Sequence, residues 1–235
     1  MTRRRWIADE VSANHAALIG DHARHLSQVL RAQIGQEFDL STGKEVRRGR
    51  ISGIHPDRVE FELGEVVAHS AAAAITVALS IFKFDRMEWA IEKCTELGVA
   101  RIIPVVAGRT ESHLAAAAAK RAERWRRIAV QAAEQSRRVS PPEISGPTEF
   151  NDLIALAAGA RIVLAEAEEE LLLKDAVRLD TGTVLLAFGP EGGWKPQELV
   201  AFRDAGWTSA SLGNTILRAE TAAIAAVAVA AAILQ

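Results

Sequence analysis

The sequence is poor in the residues that build disulfides and metal sites. Its 235 residues include a single cysteine, Cys94, and no tyrosine. One cysteine excludes an internal disulfide and any metal site made from several cysteines, and it is typical of the reducing cytoplasm. The six histidines show no metal-ligand spacing, so we expect no metal site. Cys94 stands on a predicted helix with Ile91 and Leu97, which favours a buried packing thiol over a nucleophile.

A strong net charge and a long apolar run are also missing. The formal net charge of −2 gives no overall electrostatic attraction for nucleic acid. Arg3, Arg4 and Arg5 could begin a signal peptide, but no apolar run follows them. The most apolar stretch, residues 219–234, is shorter than the roughly 20 residues that a membrane-spanning helix needs. We therefore expect a cytoplasmic protein without a membrane partner, in which 219–234 is buried in a core or at a subunit interface.

The beginning of the chain has the pattern of a small β-rich domain. Alternating and β-branched residues predict strands at 37–41, 46–54 and 58–63. The last two flank the turn signal His55-Pro56-Asp57. Several strands with one helix predict a small barrel-like domain, which we place at residues 1–70.

The helix of this domain is predicted from its spacing of apolar residues. It begins at Asp21, a plausible capping residue, and ends at Arg31. Leu26, Val29 and Leu30 would share one face of this helix.

From residue 75 onward, strands alternate with helices. Apolar runs predict strands at 75–82, 101–106, 161–165, 183–188 and 208–212. Helical spacing predicts helices at 85–97, 115–138 and 219–234. Gly98 would end the first of these helices as its C-terminal glycine. The alternation predicts an α/β domain with a parallel sheet, residues 75–235.

Two loops near the C-terminus carry most of the functional information. The first is Phe188-Gly189-Pro190-Glu191-Gly192-Gly193-Trp194 and the second is residues 212–222; each follows a predicted strand. Glycines at these points leave backbone amides bare and let a ligand approach closely. Loops at the ends of neighbouring parallel strands form a crevice where open α/β sheets bind ligands. The first loop is neither a P-loop nor the dinucleotide fingerprint, because it lacks the lysine of one and the glycine spacing of the other.

Each loop also has a purely structural interpretation. The first is compatible with a tight strand-to-helix turn capped by Glu198 and Pro196. In the second, Arg218 and Glu220 stand between an apolar strand end and an apolar helix, where charges are rarely buried unless they are paired. A structural Arg218–Glu220 ion pair and a functional pair in a crevice are both open at this point.

The two loops resemble the cofactor-binding loops of the SPOUT methyltransferases. More narrowly, the chain resembles the RsmE family, which methylates N3 of a uridine in small-subunit (16S) ribosomal RNA. Further segments that match this family are 22–31, 83–99, 131–138 and 141–144. The chain departs from the family at three places. Thr215 stands where the family usually has arginine, Phe84 replaces a glycine, and residues 110–112 only loosely match a Glu-Arg-Ser-like stretch.

The resemblance implies a fold and a cofactor. It implies a C-terminal SPOUT α/β domain with a deep trefoil knot and an N-terminal PUA-like RNA-binding β-barrel. It also implies S-adenosylmethionine as the methyl donor. The cofactor contacts it implies are Ala165, Glu166, Phe188, Gly189, Pro190, Glu191, Gly192, Gly193, Leu212, Gly213, Asn214, Ile216, Leu217 and Thr221.

The resemblance further implies residues for catalysis and for RNA binding. Uracil N3 is a poor nucleophile while it carries its proton, so a cation that stabilises the anion would help, and Arg218 is our choice. Glu220 would orient Arg218 or accept the proton. Residues 1–65 contain as many acidic as basic side chains, so only clustering could create an RNA surface there. The implied RNA contacts are Arg3, Arg4, Arg5, Arg24, His25, Arg31, Lys83, Arg86, Arg109 and Arg137.

Two other functions stay open. The chain could methylate another RNA, such as transfer RNA or large-subunit RNA. It could also be an RNA-binding ribosome assembly factor without catalysis, an alternative favoured by Thr215 and opposed by the intact loop 189–193 and by Arg218. The partner that we expect is ribosomal RNA or the small ribosomal subunit.

The last helix suggests a second partner. Residues 219–234 are apolar nearly all round, and such a helix must be covered on every side. One small domain offers it a sheet on one face only. A homodimer, which the resemblance also implies, would cover the rest, and a charge at Val227 or Ala230 would then disrupt it.

Overall fold

The structure, a computed structural model, describes three stretches of the chain: residues 5–67, 74–179 and 182–234. Two compact units divide the chain: residues 1–71 with 133–141, and residues 72–132 with 142–235. The described residues form separate hydrophobic cores in the two units. The sequence pattern groups 133–141 with the second domain, whereas in the structure this segment clusters with the first unit.

The first unit is built on a six-stranded sheet with the order β1-β4-β5-β6-β3-β2. Its strands are β1 Arg5–Ile7, β2 Glu10–Val11, β3 His15–Ile19, β4 Glu37–Ser41, β5 Val46–His55 and β6 Arg58–Val67. β1 and β4 are parallel, and the other neighbours are antiparallel. The three predicted strands of this region correspond to β4, β5 and β6. They are confirmed, although β5 and β6 run further than predicted.

Gly49 lets β5 approach the core of this unit. A Cβ atom at Gly49 would lie 2.4 Å from Cδ1 of Leu40 and 3.3 Å from Cδ1 of Phe61, both fully buried side chains. The β5–β6 pairing shifts register at the same point. The sheet therefore bends where only glycine fits.

The helix of the first unit differs from its prediction. The α-helix α1 spans only Asp21–Arg24, and a π-helical turn, His25–Val29, continues it. Gly20 occupies the capping position without a side-chain hydrogen bond, so the assignment of Asp21 as the cap is wrong.

The π-helical turn changes which side chains face the core. The N–H group of Leu30 donates to the carbonyl of His25, five residues earlier, at 3.0 Å. The wider turn leaves Leu26 buried while Val29 and Leu30 are exposed, so the predicted three-residue apolar face is wrong. The predicted end at Arg31 is also wrong, because Arg31 has a left-handed φ of 51°.

His22 lies between two carboxylates within the first unit. Its Nδ1 atom is 3.1 Å from Asp9 and its Nε2 atom is 3.4 Å from Glu134, and its ring is tilted against Trp6. The hydrogen bond to Asp9 raises the pKa of His22 above its ordinary value of 6.5, against the opposing effect of burial. A raised folded-state pKa stabilises the fold below the unfolded pKa, and the contribution is lost as pH rises through the folded value.

We therefore expect His22→Gln to lower the free energy of unfolding at about pH 5.5 and to change it little at about pH 9. The three side chains are partly exposed, so the loss should stay within about 1 kcal/mol. Chemical denaturation at the two pH values measures it. A loss that is equal at both values, or larger at the alkaline one, would contradict the charged bridge.

The second unit is a parallel α/β domain, as predicted. Its strands follow the order β10-β8-β7-β12-β11-β13, with β9 also beside β8. All the pairings are parallel. The strands are β7 Ala74–Ser80, β8 Arg101–Val106, β9 Glu143–Ile144, β10 Thr148–Glu149, β11 Ala160–Leu164, β12 Thr183–Phe188 and β13 Thr208–Ala210. The five predicted strands are β7, β8, β11, β12 and β13, with ends that shift by up to two residues.

The helices are α2 Phe84–Glu96, α3 Ser112–Gln135, α4 Phe150–Ile154, α5 Leu173–Ala176, α6 Pro196–Asp204 and α7 Ala219–Leu234. α7 has its predicted bounds, α2 begins and ends one residue early, and α3 is shifted by three residues. Gly98 follows α2 with a φ of 94°, which confirms it as the C-terminal glycine.

Alternate residues of the central strands pack on opposite faces of the sheet. On β7, Val77 and Leu79 join one core with side chains of α2, α3 and α7, and Ala78 joins another with α4 and α6. Trp125 of α3 is fully buried in the same core as Val77 and Leu79. Replacing such a ring by alanine costs about 3–5 kcal/mol. The two covered faces leave the ends of the strands as the accessible parts of the sheet.

The two positions of α7 that the sequence analysis assigns to a dimer interface lie on the face of the helix that is buried within the single chain. Val227 and Ala230 are fully buried within the single chain, so a charge at either would disturb its core and not a subunit contact. The exposed side of α7 carries Thr221, Ala228 and Ala232. The proposed test positions at Val227 and Ala230 are therefore wrong.

Cys94 is a packing residue. It is fully buried in the core beside α7, and burial raises the pKa of its thiol to about 12. A thiol that stays protonated and shielded does not react. We expect no labelling of the native protein by iodoacetamide at neutral pH and complete labelling after denaturation. Mass spectrometry distinguishes the two, and rapid labelling of the native chain would contradict this burial.

Candidate active site

The carboxyl ends of the parallel strands bring five loops to one edge of the second unit's sheet. In parallel sheets this edge is where ligands bind. The loops follow β7, β8, β11, β12 and β13 and comprise residues 81–83, 107–111, 165–172, 189–195 and 211–218. The two glycine loops of the sequence are the last two. Their strands, β12 and β13, are not the direct neighbours that the sequence analysis assumes, because β11 lies between them. We call residues 189–193 the glycine loop.

The glycine loop folds tightly back on itself. A Cβ atom at Gly189 would lie 3.2 Å from the backbone nitrogen of Trp194 and 3.3 Å from the carbonyl carbon of Gly193. The N–H of Gly193 donates to the carbonyl of Pro190 at 2.8 Å, and Gly193 has a φ of 68°. Glycine is thus favoured at 189 by close approach and at 193 by conformation.

Trp194 joins the glycine loop to the neighbouring strand. Its indole nitrogen donates to the carbonyl of Leu164, the last residue of β11, at 3.1 Å. Its ring packs edge-on against Phe202 of α6, with the centroids 4.9 Å apart. The sequence pattern includes Trp194 in the motif but does not reveal this contact, because Trp194 follows β12 whereas Leu164 ends β11.

Glu198 caps α6, as the structural interpretation predicted. One of its carboxylate oxygens accepts the N–H of Lys195 at 2.7 Å. The other accepts the N–H of Gly108, in the loop after β8, at 2.8 Å. The stem of Lys195 lies over Gly108, where a Cβ atom would be 2.8 Å from it. Glu198 therefore caps α6 and also connects the loops that follow β8 and β12.

The loop after β11 is ordered by its own carboxylate. Glu168 accepts the N–H groups of Glu170 at 3.0 Å and Leu171 at 3.2 Å, and the bond from Glu170 lowers the pKa of Glu168. Ser211, after β13, donates its N–H to Leu171 at 2.9 Å. The loops after β11 and β13 are therefore joined. Of the predicted cofactor residues here, Ala165 is buried and Glu166 is exposed.

The loop after β13 is open. Gly213 has a φ of 122°, and a Cβ atom added to it would meet nothing within 4 Å. Asn214 and Thr215 are exposed, as is Ile216, whose exposed fraction is 81%. An apolar side chain so exposed at a glycine-containing loop is available to a ligand or a partner. Leu212 and Leu217 are half-buried at the two ends of this segment.

Arg218 and Glu220 do not form the structural ion pair in the described part of the chain. Arg218 is exposed. Glu220, in the first turn of α7, is 5% exposed, and its Oε2 atom is buried with no hydrogen-bond partner. Its Oε1 atom is 3.8 Å from Nε of Arg86. The interpretation as a local pair is wrong, because Glu220 faces α2.

Arg86 connects α2 with the glycine loop. Its Nη1 atom donates to Oε1 of Glu191 at 2.8 Å. Arg109, after β8, donates through Nη1 to the carbonyl of Gly192 at 2.5 Å and to that of Trp194 at 3.3 Å. Lys83, the third basic residue predicted here, is exposed at the capping position of α2.

The remaining predicted RNA contacts belong to the first unit. Arg3 and Arg4 lie outside the described residues. The guanidinium of Arg5 donates to the carbonyl of Arg137, and burial lowers the pKa of Arg5. Arg137 itself is exposed, with a φ of 60°.

Three more of these residues lie in or beside the π-helical turn. Arg24 forms ion pairs with Asp21 and Asp57, and these hydrogen bonds raise the pKa of Arg24. His25 packs against the ring of Trp6, with the centroids 5.7 Å apart. Arg31 is exposed at the end of the turn.

The described residues contain no group of three or more histidine, cysteine, aspartate and glutamate side chains placed to hold a metal ion. Within the same three stretches, no helix combines the length and apolar character needed to cross a membrane.

Comparison with known proteins shows the family to which this chain belongs. Residues 69–231 match the family model of the RNA methyltransferase domain. Over 226 residues the chain is 34% identical to ribosomal RNA small subunit methyltransferase E of Mycobacterium tuberculosis, covering 90% of this chain and 84% of that one. The chain therefore belongs to the RNA methyltransferases and, among them, to the ribosomal RNA small subunit methyltransferase E family, which confirms the resemblance.

Solved structures show the same fold. The ribosomal RNA small subunit methyltransferase E of Neisseria gonorrhoeae, bound to S-adenosylmethionine, has a TM-score of 0.86 and 29% identity, over 97% of this chain and 96% of that chain. A putative methyltransferase of Legionella pneumophila, also with S-adenosylmethionine bound, has a TM-score of 0.86 and 27% identity, over 99% and 98%.

Proposed function

We propose that this chain methylates N3 of a specific uridine in small-subunit (16S) ribosomal RNA, with S-adenosylmethionine as the methyl donor. The observation that carries the proposal is the pair of loops after β12 and β13, at one edge of a parallel sheet, in a member of this family. Similar proteins bind S-adenosylmethionine, as in the structure from Neisseria gonorrhoeae.

The residues at this edge fit such a cofactor. Gly213 leaves open space where a side chain would otherwise project, and Ile216 offers an apolar surface beside it. Gly192 is exposed and Gly193 is half-buried, so the glycine loop presents backbone that a ligand can approach. These features suit a bulky ligand with an adenine ring, and the predicted cofactor residues of all three loops would contact it.

In the proposed reaction the protein has two main tasks: it aligns the methyl group with N3 of the uracil, and it stabilises the charge that develops on the base. S-adenosylmethionine supplies a methyl group already activated on a sulfonium. The target base must leave its stack to reach the edge of the sheet. Arg218, exposed next to α7, would stabilise the negative charge that develops when N3 loses its proton. Glu220, with an unpartnered buried oxygen, would accept that proton, since it is not placed to orient Arg218 by an ion pair.

One unit would bind RNA, and the other would carry the methyltransferase site. Residues 1–70 would form a PUA-like RNA-binding barrel, supported by the mostly antiparallel six-stranded sheet with its own core. Residues 75–235 would form the SPOUT domain, with the chain after β12 threaded as a deep trefoil knot. The predicted RNA contacts other than Arg86 and Arg109, which bind the glycine loop, would contact phosphates, which position RNA without specifying its sequence.

The active form would be a homodimer acting on ribosomal RNA or the small ribosomal subunit in the cytoplasm. The exposed side of α7, with Ala228 and Ala232, supports this proposal, because it is an apolar helix surface that the chain itself leaves uncovered. No metal takes part in the proposed reaction.

The proposal is tested by mapping modified nucleotides by mass spectrometry in ribosomal RNA from cells with and without this protein. We expect one N3-methyluridine in 16S RNA to disappear with the gene and to return with the wild-type chain. A modification lost from transfer RNA or 23S RNA would favour the other-substrate alternative. A full set of modifications, with no S-adenosylmethionine binding by calorimetry, would favour the assembly factor.

A further inference from the structure

Two arginines that the sequence predicts as RNA contacts bind the glycine loop instead. Arg86 comes from the first turn of α2 and reaches Glu191 at 2.8 Å. Arg109 follows β8 and donates to the carbonyls of Gly192 and Trp194. The loop after β12 is thus bonded to segments that follow two other strands.

The surroundings of Arg86 are acidic. Its guanidinium has Glu191 at 2.8 Å and Glu220 at 3.8 Å, so one positive charge faces two carboxylates. A phosphate would have to compete with both carboxylates for Arg86, and the three groups together repel a polyanion. The same cluster, with one net negative charge, attracts a cationic ligand, and S-adenosylmethionine carries a sulfonium and an ammonium group.

Glu220 depends on Arg86 as its nearest positive charge. Burying a carboxylate is costly unless it is paired, and the Oε2 atom of Glu220 has no donor in the described structure. Arg86 therefore supports a buried acceptor at the start of α7 while it binds the glycine loop. Through Arg86 the loop and the first turn of α7 keep one relative position.

Arg109 fits closely against the glycines. A Cβ atom at Gly192 would lie 3.4 Å from Cδ of Arg109, and one at Gly193 would lie 4.0 Å from its Nη1 atom. Its guanidinium donates to two backbone carbonyls of this segment. The rigid planar shape of the guanidinium fixes the directions of these hydrogen bonds. Such bonds restrict a glycine-rich segment that would otherwise sample many conformations.

We propose that Arg86 and Arg109 are positioning residues of the cofactor site, and that neither is a contact to RNA. Ordering the glycine loop in advance lowers the entropy cost of binding, so their loss should appear in cofactor affinity. This inference rests on the proposed function, because it takes S-adenosylmethionine as the ligand of the loop.

The test compares Arg86→Met, Arg109→Met and Glu191→Gln with the control Arg124→Met. Arg124 forms a similar Arg–Glu pair, with Glu88 at 2.7 and 2.8 Å, away from the glycine loop. Calorimetry gives the dissociation constant for S-adenosylmethionine, and filter binding at several salt concentrations gives the salt slope for 16S RNA fragments. Thermal unfolding checks that each variant folds.

We expect Arg86→Met and Arg109→Met each to weaken S-adenosylmethionine binding by roughly tenfold or more, as for a lost charge-assisted hydrogen bond. The RNA salt slope should stay at the wild-type value, and Arg124→Met should change neither quantity. Arg86→Lys, which keeps the charge, should recover part of the affinity. Arg86→Met combined with Glu191→Gln should cost no more than the larger single change, because the two share one interaction.

A salt slope reduced by about one per arginine, with cofactor affinity unchanged, would overturn the inference and restore both residues as phosphate contacts. Unchanged cofactor affinity together with an unchanged slope would overturn it as well. Wild-type protein that binds no S-adenosylmethionine would instead overturn the proposed function, so the two failures are distinguishable.

Discussion

We expect Gly213→Val to reduce S-adenosylmethionine binding at least a hundredfold while the protein stays folded. Gly213 has a φ of 122°, which valine adopts only with strain, and its missing side chain leaves the open space assigned to the ligand. Strain of this kind costs on the order of 1–3 kcal/mol, which a loop can relieve only by moving. Either the loop moves or the valine side chain fills the space of the ligand, and each outcome removes contacts between the loop and S-adenosylmethionine. Calorimetry measures the loss.

Gly98→Val is the matched control. Gly98 also has a positive φ, 94°, with open space around its missing side chain, but it precedes β8 at the opposite edge of the sheet. The Gly98→Val substitution should lower the free energy of unfolding and leave the affinity for S-adenosylmethionine unchanged. Equal losses of affinity in both variants would attribute the effect to general strain, and normal binding by Gly213→Val would remove this loop from the site. Gly192→Val should also abolish binding, because its side chain would press on Arg109.

The second large effect is expected from Ala228→Glu. Ala228 lies on the exposed side of α7, so a charge there leaves the core of the single chain intact. In the proposed homodimer the same charge would be buried at the interface without a partner, which costs several kcal/mol. We expect a folded monomer that has lost methyl transfer, because Glu220 and Arg218 stand at the beginning of this helix. Light scattering and a methyl-transfer assay with 16S RNA follow the two properties together.

Ala119→Glu serves as the control for added charge, since Ala119 is exposed on α3. It should change neither mass nor activity. A fully active Ala228→Glu monomer would contradict the link between dimer and site. An unchanged dimer would show that the subunits meet elsewhere.

The regular elements of the second unit could be predicted because their patterns are local. β8, β12 and α7 have the bounds that the sequence indicates, since continuous β-branched runs and a long apolar helix allow few alternatives. Gly98 ended α2 as expected, because a left-handed residue after a helix is a property of the backbone itself.

The π-helical turn at His25–Val29 could not be predicted in the same way. Its residues have the spacing of an ordinary α-helix. The hydrogen bond from Leu30 to His25, which spans five residues instead of four, forms only in the folded unit. The wider turn directs Val29 and Leu30 away from the core, so a one-residue change in register removed them from the face that they were predicted to share with Leu26.

The sequence by itself determined the alternation of strands and helices, the two glycine-containing loops and, through its motifs, the family. The tertiary structure alone decided which charges meet at those loops. Arg86 finds Glu191 across 105 residues of sequence, and Glu220 turns to α2 although Arg218 is only two residues away. The reason is physical: local patterns record backbone propensity and burial, whereas ion pairs depend on which strand ends the sheet order makes neighbours.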